Sequence, residues 1–195
     1  HMQPRAEIAD ELYGLLPAEF TAARNVWVRA LKDETDTELA ERVSVLRKAS
    51  PAAWGVNLLA RHRSDELAQL ADLGALMRQA QSDLDRDQLA ELTAQRRRLV
   101  SALAREAAEL AADAHHVLTN SALDEVAATL QAALGDPAAA AAVRSGRLVR
   151  PLVGDGVEPV DLDDAVAAPE ASMVSAVPRA ARRAPVRDLA VVRAA

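Results

Sequence analysis

The chain has 195 residues and a formal net charge of -6, with half of its residues apolar but only 2% aromatic. That length suits one domain with a hydrophobic core, and a core of leucine, valine and alanine rather than aromatic residues favours packed helices over sheets. The absence of cysteine excludes disulfides and thiolate chemistry, and the acidic balance excludes a surface that binds nucleic acid generally by neutralising phosphates.

Residues 1–11 form a lead before the predicted domain, and His1–Met2 has the appearance of a cloning scar. The first predicted helix begins at Pro17, because a first helical turn accepts proline. Apolar residues then recur at spacings of three and four, at Phe20, Ala23, Trp27 and Leu31. This spacing predicts an amphipathic helix with one face in the core.

Two capping signals mark the next helices. Thr35 followed by Glu38 is a capping-box pattern and predicts a second helix that runs to about Lys48. A hydroxyl N-cap followed by proline, at Ser50–Pro51, predicts a third helix that continues through Arg61. The stretch between these helices is therefore a tight helix-to-helix joint.

A longer pair of helices follows. Ser64 precedes two acidic residues and predicts a fourth helix, in which Gly74 indicates either a close helix contact or a tolerated weak point. No helix breaker occurs between Asp87 and Leu118, which predicts one helix of about 45 Å at roughly 1.5 Å per residue. We expect this helix to be the spine of the domain.

Two further helices close the predicted domain. Asn120–Ser121 starts one that Gly135 ends, and Asp136–Pro137 starts a short one that Gly146 ends. Each start is a polar capping residue, and each glycine accepts the backbone conformation that ends a helix. The helical order is therefore predicted to fade near residue 150.

From residue 151 onward the chain changes character. Glycines and prolines interrupt every apolar run, six acidic residues occupy 155–170, and five arginines occupy 178–195. This composition predicts a disordered, Pro/Ala/Arg-rich tail over residues 151–195. No stretch of the chain approaches the ~18 apolar residues that a membrane-spanning helix needs, so no membrane partner is expected.

The joint "RKASPAAWGVNLLAR" carries the candidate binding residues. A helix amino terminus offers unpaired N–H groups to an anion, and on the helix that follows an indole can stack on a base while an amide and a guanidinium form hydrogen bonds. The residues with these roles are Arg47, Lys48, Ser50, Trp54, Asn57 and Arg61. Packing explains them equally: Trp54 in a core stripe, Asn57 bonded to buried backbone, and basic residues at a helix end. The exposure of Trp54 decides between these interpretations.

The other polar clusters give weaker signals. Arg96, Arg97 and Arg98 form the densest basic run, but successive helical residues point about 100° apart, which favours a solvated helix face over a nucleic-acid contact. His115–His116 has no metal-binding residue one helical turn further on, so no metal site is expected. No nucleophile–base pair, P-loop or dinucleotide motif occurs, and we predict neither catalytic residues nor a cofactor.

Three stretches, "LYGLLPAEFTAARN", "LRKASPAAWGVNLLAR" and "ALDEVAATLQAALGDPAAAAAVRSGRLVR", carry a resemblance over residues 12–150. In them the chain resembles an uncharacterised family of helical proteins from actinobacterial genomes. The matching positions are Leu12, Tyr13, Pro17, Glu19, Phe20, Ala53, Trp54, Asn57, Asp136, Pro137, Gly146, Arg147 and Leu148. The resemblance implies one helical unit over residues 12–150 and implies no activity.

These observations together predict an all-α protein, an irregular bundle of about six or seven helices built around one long central helix and followed by a disordered tail. The function they favour is that of a non-enzymatic, cytoplasmic protein-binding or scaffold protein, whose partner is another protein or a second copy of itself. The alternative is a nucleic-acid-binding regulator that uses the basic patch around Trp54. Salt dependence separates the two, because phosphate contacts weaken steeply as salt rises.

Overall fold

The computed structural model describes residues 4–156 and 158–169 of the chain. Over these residues the protein is all-helical, with one isolated β-bridge and no strand. The predicted all-α class, with a long helix at its centre, is confirmed. The helices are α1 Pro4–Tyr13, α2 Pro17–Asp33, α3 Thr37–Ser44, α4 Pro51–His62, α5 Ser64–Ser82, α6 Arg86–Asp113, α7 Asn120–Gly135 and α8 Pro137–Arg144.

The helical domain includes residues that the sequence assigns to a lead. α1 begins at Pro4, and Ala6, Ile8 and Ala9 are buried together with the later Leu12. The domain therefore starts before Leu12. Its first residue is Pro4, the same start signal as at α2 and α4, but a helix of ten residues is marginal by itself, and contacts with α2 and α3 stabilise this one.

The start of α3 differs by one residue from the capping-box prediction, and its end by four. Asp36 is the N-cap, its Oδ1 accepting from the Leu39 amide at 3.2 Å, while Thr35 turns the chain with φ 62°. The helix ends at Ser44 rather than near Lys48. Residues 45–50 leave the helix, and this places Leu46 and Ala49 in the core.

α4 is the most completely buried helix and lies at the centre of the bundle. Its residues 52–59 are all buried, and it packs against α5, α6, α7 and α8. The predicted start of this helix is confirmed, because Ser50 Oγ accepts from the Ala53 amide at 3.2 Å and Pro51 takes the first helical position. Every polar side chain on α4 therefore faces a packed neighbour or lies near a helix end.

α6 ends five residues before the predicted Leu118. His115 adopts the left-handed conformation with φ 59°, and the amides of His116 and His115 donate to the carbonyl oxygens of Ala111 and Ala112 at 3.0 and 2.9 Å. This is the hydrogen-bonding pattern that commonly ends a helix at a glycine. Because no glycine occurs here, the sequence did not predict the end of α6 at this point.

Gly74 is a close helix contact, one of the two interpretations that the sequence allowed. A Cβ at this position would lie 2.5 Å from the carbonyl oxygen of Leu134 at the end of α7. Arg78 Nη1 donates to the same oxygen at 2.9 Å. The absence of a side chain is therefore what lets α5 approach the end of α7.

The segment that follows α8 folds back on the bundle, as far as residue 169. An antiparallel bridge joins Leu148 to Val166, and the Leu152 amide donates to Thr129 Oγ1 of α7 at 3.1 Å. Leu152 and Ala165 are completely buried. Residues 151–156 and 158–169, which the sequence assigns to a disordered tail, therefore belong to the folded unit, and the remainder of the predicted tail, residues 170–195, lies outside the described residues.

Candidate functional site

The amino terminus of α4, predicted as an anion site, is capped by the protein itself. Ser50 Oγ is bonded to the Ala53 amide, and the Ser50 amide donates to the Val149 carbonyl oxygen at 2.9 Å. Pro51 has no N–H, and Ala52 is only 1% exposed. The N–H groups that an anion would need are therefore absent, occupied or buried.

Trp54 and Asn57 belong to the core. Trp54 is 2% exposed, and its ring meets the His116 ring edge-on at a centroid distance of 5.0 Å. Asn57 Nδ2 donates to the Leu148 carbonyl oxygen at 2.9 Å, and its Oδ1 accepts from the Leu148 amide at 2.8 Å. A base cannot stack on Trp54 unless the tryptophan leaves the core. At these two residues the structure agrees with the packing interpretation.

Arg61 is also bonded inside the molecule, in a cluster that the sequence did not predict. Arg61 Nη1 donates to the Gly146 carbonyl oxygen at 2.7 Å, and its Nη2 donates to that of Asp10 at 2.8 Å. Arg147, fully buried, pairs through Nη1 with the Asp10 carboxylate at 2.9 Å and donates through Nε to the Ala167 carbonyl oxygen. These two arginines hold the segment that follows α8 against α1 and α4. The only sequence signal for Arg147 was its place in the resemblance.

The six candidate binding residues therefore do not form one surface. Ser50, Trp54, Asn57 and Arg61 cap, pack or hold backbone, whereas Arg47 and Lys48 are exposed in the α3–α4 linker. The backbone of Arg47 has a structural role as well, because its carbonyl oxygen accepts from the Tyr13 hydroxyl. What remains accessible of the predicted patch is this pair of basic side chains.

A cavity of about 870 Å³, the α1–α8 cavity, lies beside Arg47. Its walls come from α1, the α3–α4 linker, α8 and the chain between residues 149 and 169. The lining is largely apolar, and it includes Leu46, Ala142, Leu162 and Val166. Cavities of a few hundred to about 1,000 Å³ with apolar walls are the usual form of a small-molecule site.

Positive charge is concentrated at one wall of the α1–α8 cavity, around Tyr13. Burial raises the pKa of Tyr13 above its ordinary value, so that the phenol stays neutral, while the guanidinium groups of Arg47, Arg5 and Arg24 act in the opposite direction. An arginine lowers a phenol pKa only from nearby. Arg5 and Arg47 themselves line the cavity, and Arg24 donates to the carbonyl oxygen of Leu46, another lining residue.

A second concave feature, the α5–α6 groove, runs between two antiparallel helices on another face. Leu73 and Leu99 form its floor, and Leu76, half exposed, stands at its edge. Asp72 lies on the α5 wall and Arg98 on the α6 wall. The groove thus combines an apolar floor with opposite charges on its two sides.

The arginine run of α6 is divided between two faces. Arg98 lines the α5–α6 groove, whereas Arg96 and Arg97 line a depression of about 550 Å³ between α6 and α7. Arg97 and Arg98 are exposed and Arg96 is half-buried. The three guanidinium groups form no single basic patch, as the helical geometry predicts.

Three charged side chains meet where α4, α5 and α6 converge, and His62 ends α4 just before them in the chain. Arg63 Nε lies 3.2 Å from Glu106 Oε2 and 3.8 Å from Glu66 Oε1. Burial, followed by a hydrogen bond to Glu106 and its negative charge, raises the pKa of Glu66. Burial, with help from the neighbouring Arg61 and Arg63, lowers the pKa of His62. The sequence did not predict this carboxyl pair, because Glu66 and Glu106 are far apart in the chain and meet only where α5 packs on α6.

His115 and His116 both have structural roles. His116 packs on Trp54, and His115 forms the turn that ends α6. No three metal-binding side chains come together in residues 4–156 and 158–169. Over the same residues no helix combines the length and the apolar composition that crossing a bilayer requires.

Comparison with known proteins yields no match: no family model, curated protein or solved structure corresponds to this chain. The resemblance to helical actinobacterial proteins stays a prediction. Function is therefore inferred from the cavity and the groove themselves.

Proposed function

We propose that this protein is a non-enzymatic interaction module that associates with a second copy of itself through the α5–α6 groove. The observation that carries the proposal is the half-exposed Leu76 beside an apolar floor, with Asp72 and Arg98 on opposite walls. An exposed leucine alone needs no explanation, but one at an apolar groove with complementary charges is typical of a helical interface. The proposed compartment is the cytoplasm.

A twofold axis along the α5–α6 groove matches the charges of two copies. Such an axis places α5 of one copy against α6 of the other, so that Asp72 of each copy faces Arg98 of its partner. Symmetric dimers repeat every contact in this way, and each complementary pair therefore counts twice. The two copies of Leu76 then cover one another's apolar floor.

The size of the face predicts a weak dimer. α5 has 19 residues, which gives a length of about 28 Å, and two helices side by side are roughly 20 Å wide. The two faces together bury on the order of 1,100 Å², just below the range of stable specific complexes. We expect micromolar association, with monomers at high dilution.

Sedimentation velocity across a concentration series tests the proposal. The unaltered chain is expected to shift from monomer to dimer between about 1 and 200 µM. Leu76→Glu places a charge against an apolar surface and should weaken the dimer at least about tenfold, or ~1.4 kcal/mol. Val117→Glu is the matched control, because Val117 is 79% exposed in the α6–α7 connection.

A charge exchange sharpens the same experiment. Asp72→Arg and Arg98→Asp each create like-charge pairs and should each weaken association, whereas the double variant restores the complementary pairs and should recover it. A monomer at every concentration overturns the proposal. So does a double variant that is no stronger than the single ones, or a Val117→Glu variant as weak as Leu76→Glu.

Nucleic-acid binding stays a prediction for the exposed Arg47 and Lys48. The stacking group that it relied on, Trp54, is 2% exposed. If the prediction holds, binding falls steeply with salt and is lost in the double variant Arg47→Ala with Lys48→Ala. A fluorescence anisotropy titration of a labelled duplex at low and high salt tests it, and absence of binding at low salt contradicts it.

A further inference from the structure

The α1–α8 cavity has the size and the shape of a ligand site rather than of a packing defect. Its volume of about 870 Å³ is large against the few water-sized voids that a packed domain contains. Small side chains make this space, because α8 presents Ala138, Ala141 and Ala142 to it, and the last described turn adds Ala167 and Ala168. An apolar chain several carbons long fits such walls.

The charges around the cavity favour an anionic ligand. Arg5 and Arg47 line it, and Arg24 stands close by, where its Nη1 donates to the Leu46 carbonyl oxygen at 3.0 Å. Among the described residues of the lining, Asp164 supplies the single carboxylate. A cationic wall is notable in a chain with a net charge of -6, since the overall field would otherwise repel anions.

Arg47 is the group best placed to bind such an anion. Its side chain is exposed and, within the described residues, makes no hydrogen bond or ion pair, while its backbone is fixed by the Tyr13 hydroxyl. The neutral Tyr13 phenol adds no competing negative charge. A guanidinium on a fixed backbone suits a carboxylate, because its N–H groups match the two oxygens.

We propose that the α1–α8 cavity binds an unbranched acyl chain that ends in a carboxylate. The chain lies against the alanines of α8 and against Leu162 and Val166, and the carboxylate lies at the wall formed by Arg5 and Arg47. This binding is independent of the α5–α6 groove, because the cavity and the groove share no lining residue.

Isothermal titration of the full chain with decanoate tests this site. Decanoate is expected to bind at least about tenfold more tightly than decanol, which has the chain without the charge. Arg5→Gln with Arg47→Gln should remove that preference and leave decanol binding unchanged. Arg97→Gln, a change at an exposed arginine of α6, is the matched control and should bind as the unaltered chain does.

A second variant tests the place of binding separately from the charge. Ala141 is exposed at the cavity lining, so Ala141→Phe fills the space without disturbing the core, and a melting curve confirms the fold. It should abolish binding of both decanoate and decanol. Equal affinity for the two probes, no binding of decanoate at millimolar concentration, or unchanged binding by Ala141→Phe overturns the proposal. Leu76→Glu should leave decanoate binding unchanged, which separates this result from self-association.

Discussion

Two regions of the molecule use polar residues in opposite ways. The C-terminal segment, residues 146–156 and 158–169, is held on α1 and α4 by buried side chains such as Asn57 and Arg147 that bond directly to backbone. The α5–α6 hairpin, residues 64–113, turns Asp72 and Arg98 outward beside an apolar groove. Most of the candidate binding residues of the sequence, such as Trp54 and Asn57, stabilise the fold, whereas exposed residues of the hairpin carry the proposed interface.

The largest expected effect on stability comes from replacing Arg147, in the first of these two regions. Arg147→Met removes the donor from the Asp10 carboxylate and from the Ala167 carbonyl oxygen, so we expect a loss of about 3–5 kcal/mol in the free energy of unfolding. Arg97→Met on the exposed hairpin face should cost less than about 0.5 kcal/mol. Urea denaturation measures both, and equal losses would mean that the two regions do not differ.

The next effect concerns the crossing that anchors the hairpin to α7. Gly74→Ala adds a Cβ that would lie 2.5 Å from the Leu134 carbonyl oxygen, and we expect it to cost about 1–3 kcal/mol despite the better helix propensity of alanine. Gly135→Ala is the matched control, since a Cβ there meets nothing within 4 Å. It should be neutral or stabilising by up to about 1 kcal/mol. Chemical denaturation of the two variants side by side checks this, and a stable Gly74→Ala would disprove the close contact.

A smaller effect appears in acid, at the other end of the α7–α8 turn. Hydrogen bonds from the amides of Val160 and Ala138 lower the pKa of Asp136. A lowered pKa means that Asp136 stabilises the fold above the ordinary carboxyl pKa of about 4 and that this stabilisation is lost as the pH falls through the folded-state value. Asp136→Ala should therefore lower the free energy of unfolding by about 1 kcal/mol at neutral pH. It should also reduce the fall of the melting temperature between neutral and acidic pH. An unchanged pH dependence of the melting temperature would show that Asp136 does not hold the C-terminal segment.

The smallest effect lies at the base of the hairpin and has the opposite sign. The pKa of Glu66 is raised, so its proton is bound more tightly in the folded state than in the unfolded state. The contribution of Glu66 to the free energy of unfolding is therefore full at low pH and is lost as the pH rises through the folded-state pKa. Glu66→Gln should raise the neutral-pH melting temperature by at most about 2 °C, because the side chain is 35% exposed and solvent screens it. Glu109→Gln, on an exposed part of α6, is the control. A lower melting temperature in Glu66→Gln would mean that the carboxylate is needed ionised.

The helix starts were the most predictable part of this protein. Pro17, Ser50–Pro51 and Asp136–Pro137 mark real helix starts, because proline geometry and side-chain capping act within one turn of the chain. The end of α6 was not predictable, since His115 takes there a conformation that glycine usually adopts. The candidate site at Trp54 could be listed from the sequence, but its exposure could not, because burial depends on neighbours far along the chain.

By itself the sequence determined an all-helical bundle, its capped helix starts and its long α6, since periodicity and capping are local properties of the chain. Only the tertiary structure decided that Asn57 meets Leu148, that Arg147 meets Asp10 and that Tyr13 and Arg47 border a cavity with α8. These contacts join residues 34 to 137 positions apart. The physical reason is that a buried hydrogen bond is formed by whichever group packing brings near, and local pattern carries no record of that partner.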